Sequence, residues 1–402
     1  MTPTPLPALS ANTRRTVLLL SLACFCSMAT QRICDAMLPE LAREFGASMA
    51  RTGQVVSLFA VVYGLAQLLY GAAGDRLGKL RVLTFTTVAS GAGSLMAVFA
   101  GSLDALVLAR VLMALVVAAI IPMSIAWTGD AVPYAMRQET LARVGLGTTM
   151  GIMGGQLMGG VFVDTVGWRW AFVLMAVLFL GVGALLWRDM GQQVASPVSD
   201  QPPRGIWEQT RELLSEPWVR TLLAVSMVQG GAGFGLVAII ATHLHEVHGL
   251  ALSSAGATVA MFGLGGMLYM SQAKPLIRKL GEHGLALVGG CTLGAALLTV
   301  AFSPWWLLAP PAMLVAGFAF FMLHNTLQAN ATQMAPQARG LGVSMFATAL
   351  FSGQALGVLL ATSLIGPLGS SAVLAGGAVA MVSMAVFLSA QLRRRHRLKL
   401  NG

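Results

Sequence analysis

Charge is scarce in this 402-residue chain: Asp, Glu, Lys and Arg make up 10% of it, where a soluble domain carries about 25%. Hydrophobic residues make up 56%, and the mean hydropathy is +0.76. So little polar surface cannot keep such a chain in water, which excludes a soluble protein and leaves an integral membrane protein. Cysteine is scarce too. Cys24, Cys26, Cys34 and Cys291 lack metal-ligand spacing and read as small packing residues. The net charge of +10 does not point to nucleic acid, because the basic residues form no continuous stripe interleaved with aromatics. The sequence also lacks a nucleophile–base pair, a metal set, a phosphate loop and any soluble domain able to report a signal. No enzyme, no metal and no cofactor are expected.

What the chain has is apolar runs. A hydrocarbon core needs about 20 apolar residues per helix. On that basis the runs are 16–38, 52–73, 82–100, 105–126, 139–162, 169–187, 219–243, 253–273, 284–303, 305–330, 340–363 and 371–391. The expected fold is therefore all-α, with twelve membrane helices. Arg14-Arg15 and the apolar TVLLLSLACFCSMA after them have the shape of a signal peptide. The run continues past Arg32 toward Pro39, however, so an uncleaved first helix is expected.

An even number of crossings puts both termini on one side, and the basic residues choose it. Placing the N-terminus inside puts twenty of the twenty-five Lys and Arg residues there and leaves Arg43, Arg51 and Arg169 outside. Arg32 and Arg110 fall inside spans. Seven of the eight tryptophans sit at span ends, where an amphipathic ring favours the interface. The eighth, Trp207, lies in the one long internal loop, 188–218. There a polar stretch, ASPVSDQPPRG, precedes IWEQTRELLSEP, whose apolar face suits a short helix on the inner membrane surface. The loop divides the chain into 1–187, 188–218 and 219–402, with six spans in each flanking part.

These two parts echo one another. GDRLG ending at Gly78 returns as IRKLG ending at Gly281. GLG at Gly145 returns at Gly340, and GQLMG at Gly155 returns as GQALG at Gly353. Three echoes in one order suggest two pseudo-symmetric six-helix bundles.

Between the second and third runs lies GAAGDRLGK, Gly71 to Lys79. Its glycines permit a tight reversal, and its charges hold the loop inside. It is either a turn that fixes topology or a latch made in one conformation and broken in another. Read as GxxxDRxG, it looks like the signature loop of the major facilitator superfamily. Arg110 in LARVLMALVVAAIIP resembles that family's fourth-span arginine motif. GIMGGQLMGG, from Gly151 through Gly155, Gln156 and Gly159 to Gly160, resembles the fifth-span glycine motif of its drug:proton antiporters, with Gln156 where they usually have proline. DTVGWRWAF and the first-span DAMLP are also similar to stretches of those proteins. The resemblance spans the chain. It implies a latch of Gly71, Asp75, Arg76, Gly78, Lys79 and Asp130. In it Asp75 would meet the eleventh helix near Arg339, and Lys79 would pair with Asp130.

Asp35 is the one acid well within a span. A charged Asp at mid-helix costs about 2.5–3.5 kcal/mol on insertion scales. A carboxyl set between desolvation and a nearby cation can take up and release a proton. Arg110 lies at comparable depth, and Arg32 and Gln31 share the face of Asp35. Asp35, Arg110 and Arg32 are the proton-coupling candidates, and a static buried ion pair is the alternative. A second polar cluster, His324, Asn325, Gln328 and Asn330, lies on the tenth span, with Gln229 on the seventh. The cargo-binding candidates are Gln31, Tyr63, Gln67, Met113, Gln229, His324, Asn325 and Gln328. Gln156 and Gln354, in matched GQxxG sites with Gly353, read first as packing residues. His243, His245 and His248 read as solvated interface histidines.

Three functions follow. The first is a proton-coupled exporter of small organic molecules working by alternating access. The second is an importer of a sugar or organic acid, with Arg32 and Arg110 holding a carboxylate. The third is a membrane enzyme or sensor, which no motif supports. The expected partners are a small-molecule substrate, protons and the lipid bilayer. The expected setting is a monomer in a bacterial inner membrane with both termini cytoplasmic.

Overall fold

A computed structural model of the protein describes residues 10–190, 206–335 and 339–401, apart from the side chains at 71, 72, 75, 134, 135, 206, 207, 339 and 396–401. Among the described residues there are helices and short links, with no strand. The first half holds α1 (Ala11–Arg32), α2 (Leu38–Glu44), α3 (Met49–Thr52), α4 (Gln54–Leu77), α5 (Lys79–Val98), α6 (Leu103–Val117), α7 (Ile120–Ala131), α8 (Tyr134–Asp164) and α9 (Trp168–Met190). The second half holds α10 (Ile206–Ser215), α11 (Pro217–Gln229), a π-helical turn (Gly230–Gly235), α12 (Leu236–His248), α13 (Leu252–Phe302), α14 (Ala309–Gln333), α15 (Arg339–Leu368) and α16 (Ser370–Asn401). The expected Pro-rich stretch lies outside the described residues, as do the side chains of Ile206 and Trp207.

Nine helical segments among the described residues are long and apolar enough to cross a membrane. One of them, α13, turns sharply at Gly281, with φ 62° and ψ 177°, and so consists of two helices. Gly78, between α4 and α5, has φ 90°. These two glycines end the matched GDRLG and IRKLG stretches, and a side chain at either would strain a left-handed backbone. α1 and α5 are not among the nine. Arg14, Arg15 and Arg32 lower the apolarity of α1. Hydroxyls lower that of α5, but Thr84, Thr87, Ser90 and Ser94 each donate to a backbone carbonyl one turn earlier, at 2.7–3.0 Å. Internal satisfaction of this kind makes hydroxyls tolerable in a dry interior. Each of the twelve expected apolar runs falls mainly on helix.

α1 stops within its run. Pro39, near the start of α2, has no N–H, and its ring would crowd the carbonyl four residues earlier in a continuous helix. The chain turns instead over residues 33–37, held by Asp35 N to Arg32 O and Met37 N to Cys34 O, both 3.1 Å. That break sets Asp35 on a turn in the protein interior.

Close helix contacts follow the glycines. Gly147, Gly151 and Gly155 of α8 face the backbone carbonyls of Ser21, Phe25 and Ala29 of α1, one turn at a time, and Gly159 faces that of Ile33 just past its end. A methyl group at any of the four would overlap the facing carbonyl. In the second half, Gly353 and Gly357 of α15 meet Met227 and Gly231 in the same way. Small residues that let backbones approach are the usual device for joining helices in a membrane.

The two halves touch chiefly along two helix pairs, with smaller contacts between α3 and α15 and between α2 and α12. α8 meets α13 through Gly160 at Leu252 and Gly256 at the Gln156 carbonyl, and Ser253 N donates to Asp164 Oδ2 at 2.6 Å. α4 meets α15 through Thr348 Oγ1, which donates to Gly64 O at 2.8 Å, and through the Tyr63 and Phe351 rings, 4.8 Å apart.

Candidate functional site

Among the described residues, the buried charged side chains are Arg32, Asp35, Arg110 and Asp189. Asp189 of α9 pairs with Arg15 of α1 at 3.3 Å. The other three gather around the break in α1.

Asp35 Oδ2 accepts from Gln156 Nε2 at 2.7 Å and from Arg32 Nη1 at 3.4 Å. All three residues have essentially no exposed surface. Arg32 Nη1 also donates to the Phe234 carbonyl at 3.2 Å, and its guanidinium lies 4.2 Å from the centre of the Phe234 ring. Phe234 belongs to the π-helical turn of the second half, a geometry frequent at functional sites. A chain of contacts therefore runs from α8 through Asp35 and Arg32 into the other half of the protein.

Arg110 does not bond to Asp35. Its Nη1 donates to the Thr30 carbonyl at 2.7 Å and its Nε to Val55 O at 3.4 Å, and it lies 3.9 Å from the Phe59 ring centre. It thereby serves a carbonyl of α1 just before the helix breaks. Irregular backbone at membrane depth persists only where such groups are met. The expected pairing of Asp35 thus falls to Arg32, three residues away, and to Gln156.

The second cluster is mostly aromatic. His324 stacks on Phe320 at 5.5 Å and lies 5.6, 6.0 and 6.4 Å from Phe346, Phe321 and Phe234. Its Nδ1 is 3.4 Å from Gln229 Oε1. Asn325 and Gln67 are half-buried, Gln328 is exposed, and Gln31 and Tyr63 are buried. Met113 is buried against Gly93 of α5, which places it in a helix contact. Nitrogens of Gln31, Gln229, Gln354, Arg32 and Arg110 have no hydrogen-bond partner among the described residues.

At the loop after α4, Lys79 Nζ bonds Asp130 Oδ2. Arg76 is exposed. Gly71 and the side chains of Asp75 and Arg339 lie outside the described residues.

A family model, the Major Facilitator Superfamily, matches residues 20–358. The chain belongs to that superfamily. It is a transporter and not an enzyme. Relatives of this facilitator include the multidrug export protein EmrB of Haemophilus influenzae, 27% identical over 185 residues, which are 46% of this chain and 36% of EmrB. The alignment therefore spans about a third of the EmrB length. YceJ of Bacillus subtilis, an uncharacterized transporter of the superfamily, is 24% identical over 330 residues, covering 81% of this chain and 83% of its own. A probable sugar efflux transporter of Mannheimia succiniciproducens is 22% identical, covering 84% of this chain and 82% of its own. A bacterial homolog of the human lysosomal transporter Spinster, solved in an inward-facing, occupied conformation, has the same fold. Its TM-score is 0.77 at 19% identity, covering 96% of this chain and 98% of that one.

Two features of the facilitator were not singled out from its sequence. One is Phe234 as partner of Arg32, signalled only by the glycine-rich GGAGFG within an apolar run. The other is His243, expected as a solvated interface residue. It is buried, with Nε2 3.0 Å from Val300 O and Nδ1 2.8 Å from Ser370 Oγ. The carbonyl can only accept, so Nε2 carries the ring proton and donates to it, and in the neutral ring Nδ1 accepts a hydrogen bond from the serine hydroxyl. Among the described residues no group of three side chains could hold a metal ion.

Proposed function

We propose that the protein exports small organic molecules in exchange for protons, with Asp35 as the proton carrier. One observation carries this reading. Among the described residues, the one carboxyl buried at the protein's centre is held by Arg32 and Gln156 where α1, α8 and the π-helical turn meet. A carboxyl at the junction of the two halves is placed to make their contact depend on its charge. The halves 1–187 and 219–402 act as two six-helix bundles, joined by 188–218, that rock about this junction across a bacterial inner membrane. Both termini are cytoplasmic and the unit is a monomer. The cargo lies among Gln31, Tyr63, Gln67, Gln229, His324, Asn325 and Gln328. Relatives named as a multidrug export protein and a probable sugar efflux transporter support the outward direction.

A second reading, uptake of an organic acid, is favoured by Arg110. That guanidinium bonds only to backbone carbonyls, and its Nη2 has no partner among the described residues. The test is a compound panel on the purified protein in sealed vesicles with a pH-sensitive dye inside. Export predicts that a cargo moves against its gradient only when protons flow the opposite way. Uptake predicts that an organic acid and protons move together. Cargo movement indifferent to the pH gradient would defeat both readings.

A further inference from the structure

Gln156 holds an amide against Asp35, the buried acid of the centre, and it uses half of that amide. Its Nε2 donates to Asp35 Oδ2 at 2.7 Å, while its Oε1 has no partner among the described residues. Its own backbone carbonyl lies against Gly256 of α13, so the residue sits where the two halves touch. A carboxylate only accepts hydrogen bonds; once protonated it must also donate one. An amide can answer both demands, by turning over about its last torsion. In a site this dry, an unanswered O–H is a large penalty.

We infer that Gln156 is a positioning residue for Asp35: its N–H₂ holds the carboxylate and its carbonyl holds the carboxylic acid, so the group stays docked on α8 in both protonation states. The inference rests on Asp35 as proton carrier. It gives Gln156 a task beyond packing, and it accounts for glutamine at this point of the glycine stretch. The turn that bears Asp35, residues 33–37, is held by the short-range backbone bonds of Ile33 N to Ala29 O, Asp35 N to Arg32 O and Met37 N to Cys34 O, and an anchoring side chain adds to them. The ionisable groups facing Asp35 are Arg32 on its own segment, Arg110 on α6 and the neighbouring Cys34 thiol. Among the described residues α8, α13 and the π-helical turn add no charged side chain at this point.

The chain carries its own control. Gln354 occupies the matched GQxxG site and is equally buried, but neither end of its amide has a partner among the described residues. The experiment is amide hydrogen exchange on the purified full chain, on the acid and on the alkaline side of neutrality. It compares wild type, Gln156→Met and Gln354→Met, which conserve volume and remove the amide. Gln156→Met should lower protection at 33–37 at both pH values, by about tenfold or more on the alkaline side, where the bond is to a charged group, and by roughly two- to tenfold on the acid side, where it is to a neutral one. Gln354→Met should leave that protection unchanged. In an Asp35→Leu background, Gln156→Met should add nothing further, because the two residues act as one unit. Unchanged protection in Gln156→Met, an equal loss in both variants, or a loss at one pH only would overturn the inference. The readout needs neither cargo nor gradient. A wild type that moves no protons therefore defeats the proton-coupling reading alone.

Discussion

Asp35→Asn separates the charge of the buried acid from its shape. The asparagine oxygen can still accept from Gln156 or Arg32, so hydrogen bonding is largely kept. What is lost is the negative charge facing Arg32, a guanidinium with no exposed surface. Removing one member of a buried ion pair costs about 3–5 kcal/mol, because the other charge is left uncompensated. The asparagine still accepts a bond, and Arg32 keeps the Phe234 carbonyl and ring. The expected loss is therefore at the low end, about 3 kcal/mol, or roughly a hundredfold in the folding equilibrium. The assay is unfolding of the purified protein in mixed micelles, with Asp104→Asn alongside. Asp104 pairs with Arg51, but both side chains are more than half exposed, so that variant should change stability by about 0.5 kcal/mol or less. In vesicles, Asp35→Asn should abolish cargo-driven proton release while cargo binding persists. A loss below about 1 kcal/mol would show that Arg32 does not depend on the charge of Asp35. Unaltered proton release would remove Asp35 from the mechanism.

Lys79→Ala should reduce the transport rate severalfold while changing stability by less than about 1 kcal/mol, since Asp130 is partly exposed and such pairs add little to folding; a stability loss as large as that of Asp35→Asn would make the contact structural. Gly256→Val should force α8 and α13 apart, because a side chain there would strike the Gln156 carbonyl. Cross-linking between cysteines introduced at positions 164 and 253 should then fall, and unchanged cross-linking would refute the contact. Glu44, in the segment between the first two spans, accepts from Trp168 Nε1 at 2.6 Å and Arg169 Nη1 at 2.7 Å. Partial burial pushes its carboxyl up, but these donors together hold it below the ordinary value. Its contribution to stability is thus complete above the unfolded value, about 4.3, and is lost as pH falls through the folded one. Glu44→Gln should flatten the acid limb of a plot of thermal midpoint against pH, and an unchanged limb would refute the assignment.

The sequence by itself determined that this chain lives in a membrane, because no arrangement of 10% charged residues keeps so much apolar surface from water. It determined where the helices run, because apolar length is a local property. It marked the two tight reversals, since glycine at Gly78 and Gly281 tolerates the left-handed backbone found there. It also singled out Asp35, Arg32 and Arg110, because ionisable residues inside apolar runs stand out at once. Only the tertiary structure decided who pairs with whom. Arg110 serves the Thr30 carbonyl, Gln156 reaches Asp35 across 121 positions, and Arg32 reaches Phe234 across 202. The physical reason is that these partners are mostly backbone carbonyls and an aromatic ring. Every residue has a carbonyl, and rings are common in apolar runs, so nothing in their composition marks them. They become partners through the break at Pro39 and the close approach of glycine-lined helices, and both are properties of the packed bundle.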